Sequence, residues 1–325
     1  MKILLINISL RPESKVIYIP LGLAYIASAI KNQGYDFDLL DIDAYRYRDD
    51  YVDQYLKEHQ YDIICMGCIV TGYKYIKDLA QRIKRINRRT TIIVGNSVAS
   101  SIPDLLLTKT DADLAVIGEG DVTIVELLEA LKNLRPLKNV AGIGYKENGK
   151  IMKTAPRPVI EDIDTIPFPD WDLFNMEKYI EACSKYGASE PLPLPRERIR
   201  AFTISTARGC PLRCSFCYHV FRAAKFRYIS PSVLAKEIKR LKSKYNINYF
   251  IFHDDLSLVS KKHASEIARC FLQEKIDVFW AGSCRADLFN RESDIELAEC
   301  LKAAGCVGLG YSLESASPEI LKMMN

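Results

Sequence analysis

Short apolar runs alternate with helix-length amphipathic segments twice along this chain, and that alternation leaves few folds open to it. In the first half, apolar runs at 3–8, 37–42, 62–68, 91–94 and 113–117 read as strands. Between them, 20–33, 49–58, 75–86 and 103–107 read as helices, and 122–134 closes the series as another. Pro20 near the start of the first helix and Gly34 behind it are ordinary start and stop signals. Parallel strands need a long crossover, which a helix supplies. Five strands with intervening helices therefore imply an α/β fold with a doubly wound parallel sheet.

A different pattern follows. Gly142-Ile143-Gly144-Tyr145, then Asn148-Gly149, then Ile151-Met152-Lys153 is a hairpin signal centred on Asn-Gly. Residues 156–200 are rich in proline and read as a linker with a short helix near 171–179. The alternation resumes at 201, with strands at 202–206, 249–253, 278–283 and 307–313 and helices at 230–245, 264–272 and 294–304. Ser230 suits an N-cap and Pro231 the first helical position. The reading divides the chain into 1–137, a hairpin and linker at 138–200, and a second α/β part at 201–325. Four βα units make half of an eight-unit barrel or two-thirds of a six-unit one. The series stops at Asn325 as a further helix begins. An open sheet edge exposes unpaired backbone groups, so we expect a partial barrel, a fragment or one whose edge something else covers.

Composition narrows the function classes. Apolar residues make up 48% of the 325 and charged residues 26%, with a net charge of only +4 spread in mixed sign. That balance gives no reason to expect a nucleic-acid or anionic-membrane partner. No run of about 18 or more apolar residues is present, and the apolar start of the chain passes into Ser9, Arg11 and Glu13 without a cleavage site. A cytoplasmic protein is expected. In such a chain the 10 cysteines are metal ligands or plain buried side chains rather than a disulfide framework.

Position separates the two kinds. Cys210, Cys214 and Cys217 form C-x3-C-x2-C within Ala207-Arg208-Gly209-Cys210-Pro211-Leu212-Arg213-Cys214-Ser215-Phe216-Cys217-Tyr218-His219, just after the first strand of the second series. Soft thiolates suit iron–sulfur clusters and zinc. Three cysteines on a cubane leave one iron open, which suits catalysis better than electron transfer. A zinc site using His219 as fourth ligand is the other metal reading, although His219 lies only two residues past Cys217. Cys65 and Cys68, inside an apolar strand, read as core thiols, since activated thiolates favour helix N-termini.

The loop, in its spacing and in Phe216 before the last cysteine, resembles that of radical S-adenosylmethionine (SAM) enzymes. The resemblance implies a [4Fe–4S] cluster on Cys210, Cys214 and Cys217, with the open iron chelating SAM. One electron from an external flavodoxin-type or ferredoxin-type reductant would then release a 5′-deoxyadenosyl radical that takes a hydrogen from a small-molecule substrate. The resemblance also makes the strand ends candidates for SAM contact. They are Phe216 and Tyr218 in the loop, Asp255 (or Asp254) after the second strand, Arg285 after the third, and Ser312 with Glu314 after the fourth.

In a sheet of flavodoxin-like order, ligands sit at the carboxyl ends of the strands near the switch point. In the first half those ends carry Ser9 to Ile19 and the glycine-containing loops Thr71-Gly72-Tyr73, Gly95-Asn96-Ser97 and Gly118-Glu119-Gly120. Glycines permit close backbone approach to a large ligand. A mononucleotide, a flavin or a purely structural domain fits this physics equally well. With Leu21 in Pro20-Leu21-Gly22-Leu23, and with Gly34-Tyr35, Asp41 and Ile166-Pro167-Phe168-Pro169-Asp170, the arrangement resembles cobalamin-dependent radical SAM proteins. That implies cobalamin against Leu21, Thr71, Gly72, Tyr73, Gly95, Asn96, Ser97, Gly118, Glu119 and Gly120. The Asp-x-His-x-x-Gly signature is absent and the first half has one histidine, His59, so cobalt is expected to have no histidine below it. The chemistry so implied is methyl transfer to an unactivated carbon or phosphorus. A radical cyclase or rearrangement catalyst, or a non-catalytic cofactor-binding fragment, is the alternative.

Overall fold

The computed structural model describes residues 1–189, 192–218, 220 and 225–324. His219, the fourth ligand of the zinc reading, lies outside the described residues, as do Pro191 and Asn325. The chain forms two compact units. The first holds Met1–Ser14, Pro20–Ile160 and Pro169–Phe174, and the second Lys15–Ile19, Glu161–Phe168 and Asn175–Asn325.

The first unit is a seven-stranded sheet in the order β2-β1-β3-β4-β5-β6-β7. Strands β1 (Ile3–Asn7), β2 (Phe37–Asp41), β3 (Ile63–Gly67), β4 (Thr91–Gly95) and β5 (Leu114–Val116) run parallel. The connecting helices are α1 (Leu21–Asn32), α2 (Ile42–Tyr45), α3 (Asp49–Glu58), α4 (Tyr73–Ile86), α5 (Asn96–Ser101) and α6 (Pro103–Lys109), with α7 (Gly120–Lys132) after β5. Neighbouring strand residues point to opposite faces, and here both faces are covered. Leu4 and Ile6 of β1 join Leu40, Val52, Ile64 and Ile76 on one side. Ile3 and Leu5 join Ala27, Ile30, Ile93 and Leu127 on the other. A strand buried on both faces is apolar throughout rather than alternating, which is why Ile3-Leu4-Leu5-Ile6 reads as one run.

Four details of this part of the chain depart from the sequence reading. The hairpin expected in the linker belongs to the sheet: β6 (Ile143–Glu147) pairs antiparallel with β5, and β7 (Lys150–Lys153) with β6. Its buried Ile143 and Tyr145 are what fix it there. Asn96-Ser97, expected in a loop, opens α5, and α7 starts at Gly120 rather than 122. The helix expected near 171–179 is a 3₁₀ turn at Trp171–Leu173 in the first unit, followed by α8 (Met176–Ala182) in the second. Asn175 caps α8, its side chain accepting from Lys178 N at 3.2 Å.

The second unit carries a parallel sheet in the order β13-β12-β11-β8, each strand beside the next in sequence, as in successive units of a βα barrel. Here β8 is Ala201–Ile204, followed by a short antiparallel pair, β9 (Ala207–Arg208) and β10 (Arg227–Tyr228). Then come α9 (Pro231–Tyr245), β11 (Tyr249–Phe252), α10 (Lys261–Gln273), β12 (Phe279–Ser283), α11 (Ile295–Ala303), β13 (Cys306–Gly310) and α12 (Pro318–Met324). On one face Trp280 packs on Phe252 and Phe271, its indole N–H donating to Ala304 O at 2.9 Å. On the other, Ala201 and Tyr249 pack with Cys183, Ala188 and Ile199. Strand β13 ends at Gly310, so Ser312 lies in the loop beyond it and not in the expected strand to 313. Among the described residues no helix is long and apolar enough to cross a membrane.

Candidate active site

In the second unit the cysteine loop leaves the sheet at the carboxyl end of β8. Its neck is closed by the β9–β10 pair, which sets Ala207 opposite Tyr228 and Arg208 opposite Arg227. Gly209 follows with φ +83, a conformation glycine adopts without a Cβ penalty, and it turns the chain into Cys210. Cys217 N donates to Cys214 O at 3.2 Å, so the last two cysteines flank a turn. Cys210 and Cys214 are half-buried and Cys217 is exposed. None of the three is in a disulfide.

Above the neck, Asp254 fills the space between β8 and β11. One carboxylate oxygen accepts from Ser205 Oγ (2.9 Å), Thr206 N (2.9 Å) and Ala207 N (3.1 Å), and the other from Thr206 Oγ1 (2.6 Å). Burial pushes its pKa up, and the hydrogen bonds from Thr206, Ser205 and Ala207 work against that rise. Asp255, the residue singled out from the sequence, is exposed beside it. The sequence reading favoured Asp255, and nothing in a bare Asp-Asp pair says which carboxylate turns inward.

Arg285, just past β12, holds Asp287 in a two-pronged pair at 2.7 and 2.8 Å. The hydrogen bond to the Asp287 carboxylate raises its pKa, and burial works against that rise. Phe216, Tyr218, Ser312 and Glu314 are exposed. Glu314 sits at φ +59. Among the described residues no three histidine, cysteine, aspartate or glutamate side chains are arranged around a single-ion position. A cubane instead takes each cysteine on a different iron, and the loop offers three soft donors on a stapled base. The donor set fits the cluster.

In the first unit the carboxyl ends of β3, β4 and β5 face a surface with little side-chain cover. A Cβ on Gly95 or on Gly118 would meet nothing within 4 Å. Leu10, Ile69, Val70 and Val122 expose apolar surface nearby in the chain, and Thr71 and Asn96 are exposed as well. Leu21, Tyr73 and Ser97 are half-buried. Open glycines beside exposed apolar side chains fit a large planar group. The other glycines serve the fold: a Cβ on Gly72 would strike Leu10 and Cys68, and one on Gly120 would strike Ile26. Glu119 is buried, its carboxylate accepting from Ile160 N at 2.7 Å. Cys65 and Cys68 are buried, and burial pushes both thiols up to about 12, as inert core residues. His59 ends α3, its ring nitrogen 3.0 Å from Tyr55 O.

With this geometry in view, each half finds its class. Residues 10–128 match the B12 binding domain, and residues 204–325 match the radical SAM superfamily. The former implies cobalamin, the latter a [4Fe–4S] cluster and SAM. The chain therefore joins a B12-binding domain to a radical SAM domain, the pairing of a cobalamin-dependent radical SAM protein. It is 31% identical to an uncharacterized methyltransferase of Pyrococcus horikoshii, over 94% of this chain and 62% of that protein. It is 28% identical to an anaerobic magnesium-protoporphyrin IX monomethyl ester cyclase of Synechocystis, over 93% of this chain and 58% of that one. The chain thus spans about three-fifths of the length of these relatives. Its fold matches that of the cobalamin-dependent SAM radical enzyme OxsB, with a TM-score of 0.78 at 20% identity, over 99% of this chain and 45% of OxsB.

Proposed function

We propose that this chain is the cofactor-holding part of a radical methyltransferase, acting on an unactivated carbon or phosphorus of a small molecule. The observation that carries the reading is the stapled C-x3-C-x2-C loop with Arg285 at the carboxyl end of the same sheet, in a chain whose other half offers open glycines at its strand ends. When bound, the cluster and SAM supply a hydrogen-abstracting radical, and cobalamin supplies the methyl group. Cys210, Cys214 and Cys217 hold three irons and leave the fourth for SAM. Arg285 is the partner of the SAM carboxylate, which takes over the two-pronged contact that Asp287 now makes. Phe216, Tyr218, Asp255, Ser312 and Glu314 line the SAM side from the loops after β8, β11 and β13. Leu21, Thr71, Tyr73, Gly95, Asn96, Ser97 and Gly118 face cobalamin. Gly72, Glu119 and Gly120 act from behind, by letting the loops pack.

A flavodoxin-type or ferredoxin-type reductant and a cytoplasmic setting complete the reading, since free thiols persist in reducing compartments. The likeness to the Synechocystis cyclase favours a second reading, radical cyclisation without methylation. Anaerobic reconstitution with iron and sulfide, then cobalamin, then SAM cleavage is the test. The reading expects about four irons per chain, bound cobalamin whose cob(II)alamin spectrum lacks nitrogen splitting from below, and methionine release. Stoichiometric zinc without iron overturns it. Methionine release without methyl transfer to any product selects the cyclase reading.

A further inference from the structure

We propose that Asp254 is a positioning residue, which locks the neck of the cysteine loop to the strand end that carries Arg285. The inference rests on the functional reading above. Its side chain gathers four donors from Ser205, Thr206 and Ala207, the three residues before Arg208-Gly209-Cys210. Its carbonyl accepts from Ser283 Oγ at 3.3 Å, two residues before Arg285. Ser283 is itself held: its carbonyl accepts from Ser257 N at 3.1 Å and Leu258 N at 2.9 Å, and its hydroxyl lies 3.3 Å from that of Ser257. One residue thus links β8, β11 and β12 at their carboxyl ends, from which the chain runs on to the cysteines after β8 and to Arg285 after β12.

The chemistry of the link explains the residue type. Two backbone N–H groups and two hydroxyls converge on it, and the two oxygens of a carboxylate accept from all four as they stand. Without it, the buried N–H groups of Thr206 and Ala207 lose their acceptor, a cost that falls on the loop itself. Asparagine is a conservative replacement. Its oxygen serves Ser205, Thr206 N and Ala207 N, while its amide N–H donates to Thr206 Oγ1, which rotates from donor to acceptor.

The test compares the 325-residue chain with Asp254→Ala, Asp254→Asn and Thr206→Val. Amide exchange at Thr206 and Ala207 is read before cluster loading. Iron retained after anaerobic desalting and the SAM-induced change in the reduced cluster's paramagnetic spectrum are read after it. Asp254→Ala is expected to exchange both amides many-fold faster, retain several-fold less iron and lose the SAM-induced change. Asp254→Asn is expected to recover all three. Should Asp254→Ala fail to fold, Thr206→Val removes only the 2.6 Å hydroxyl contact and must show the same changes in smaller measure. Iron retention and SAM response equal to wild type in Asp254→Ala overturn the proposal, whatever the amides do. So does failure of Asp254→Asn to rescue. If the unaltered chain takes up no iron, the functional reading fails on its own, and amide exchange alone then decides whether Asp254 holds the neck.

Discussion

His263 is buried in α10 with its ring 4.0 Å from that of Tyr228, which pairs with Ala207 at the neck of the cysteine loop. Its Nδ1 has no hydrogen-bond partner among the described residues. Burial holds its pKa down at about 4, against a pull upward from Glu266. The folded form therefore binds its proton later than the unfolded chain does. The stability it supports is complete above about pH 6.5 and is lost as pH falls from there toward about 4. We expect His263→Phe, which keeps the ring contact with Tyr228, to flatten the acid arm of a urea midpoint-versus-pH curve between those values. An unchanged arm would falsify the assignment. Gly305 is a second single-residue test. It sits at φ +90, with a Cβ there running into Val278 O. Gly305→Ala should cost about 1–3 kcal/mol from the backbone alone, read as a lower urea midpoint in a protein that still folds. A loss within error would mean that the turn after α11 relaxes freely.

Elements carry the next level. Strand β4 ends open at Gly95, whose Cβ position is free and whose φ is ordinary. Gly95→Leu is therefore expected to leave the unfolding midpoint where it is and to weaken cobalamin on the order of tenfold or more, the effect of about 1.4 kcal/mol. Gly120→Leu is expected to do the reverse, because Ile26 already fills that space: the unfolding midpoint drops, whatever happens to the ligand. If Gly95→Leu binds cobalamin as wild type does, the ligand does not approach over β4. The same elements show what local sequence conveys. Strand and helix positions in both units follow from periodicity, since central strands such as β1, β3 and β4 are buried on both faces and helices such as α4 and α10 on one. The neck strands β9 and β10 are only two residues each and pair across the cysteine loop. No periodicity can reveal a partner so far away in sequence.

For the whole molecule, binding is read through stability. A ligand held only by the folded state adds about 2.7 kcal/mol at 100 times its dissociation constant. Cobalamin should accordingly slow amide exchange in the sheet of the first unit, at β3, β4 and β5 above all. Equal exchange with and without a hundredfold excess would show that this half holds no cobalamin. Two compact units also make a single unfolding free energy a poor descriptor of the chain, so exchange resolved by residue is the better measurement.

The order of elements and the parallel run of strands in each unit were written in the sequence, as was the set of soft donors, Cys210, Cys214 and Cys217, proposed to hold the cluster. Each depends on local facts: where apolar runs fall, how long the crossovers are, and which soft donors share a loop. The hairpin at 143–153 was legible as a hairpin, yet its place on the edge of the first sheet depends on burying Ile143 and Tyr145 against β5. The same holds for the two carboxylates of Asp254-Asp255. Adjacent residues of one type are equivalent in sequence, and only the convergence of Ser205, Thr206 and Ala207 on one of them decides that Asp254 turns inward while Asp255 stays exposed. Glu119, a candidate ligand contact by its loop, was likewise assigned to the fold by Ile160, 41 residues away. Local pattern determines which elements and which chemistry the chain carries. Long-range hydrogen bonding decides which member of each polar group serves the site and which holds it in place, because a buried polar group must find its partner wherever the fold brings one.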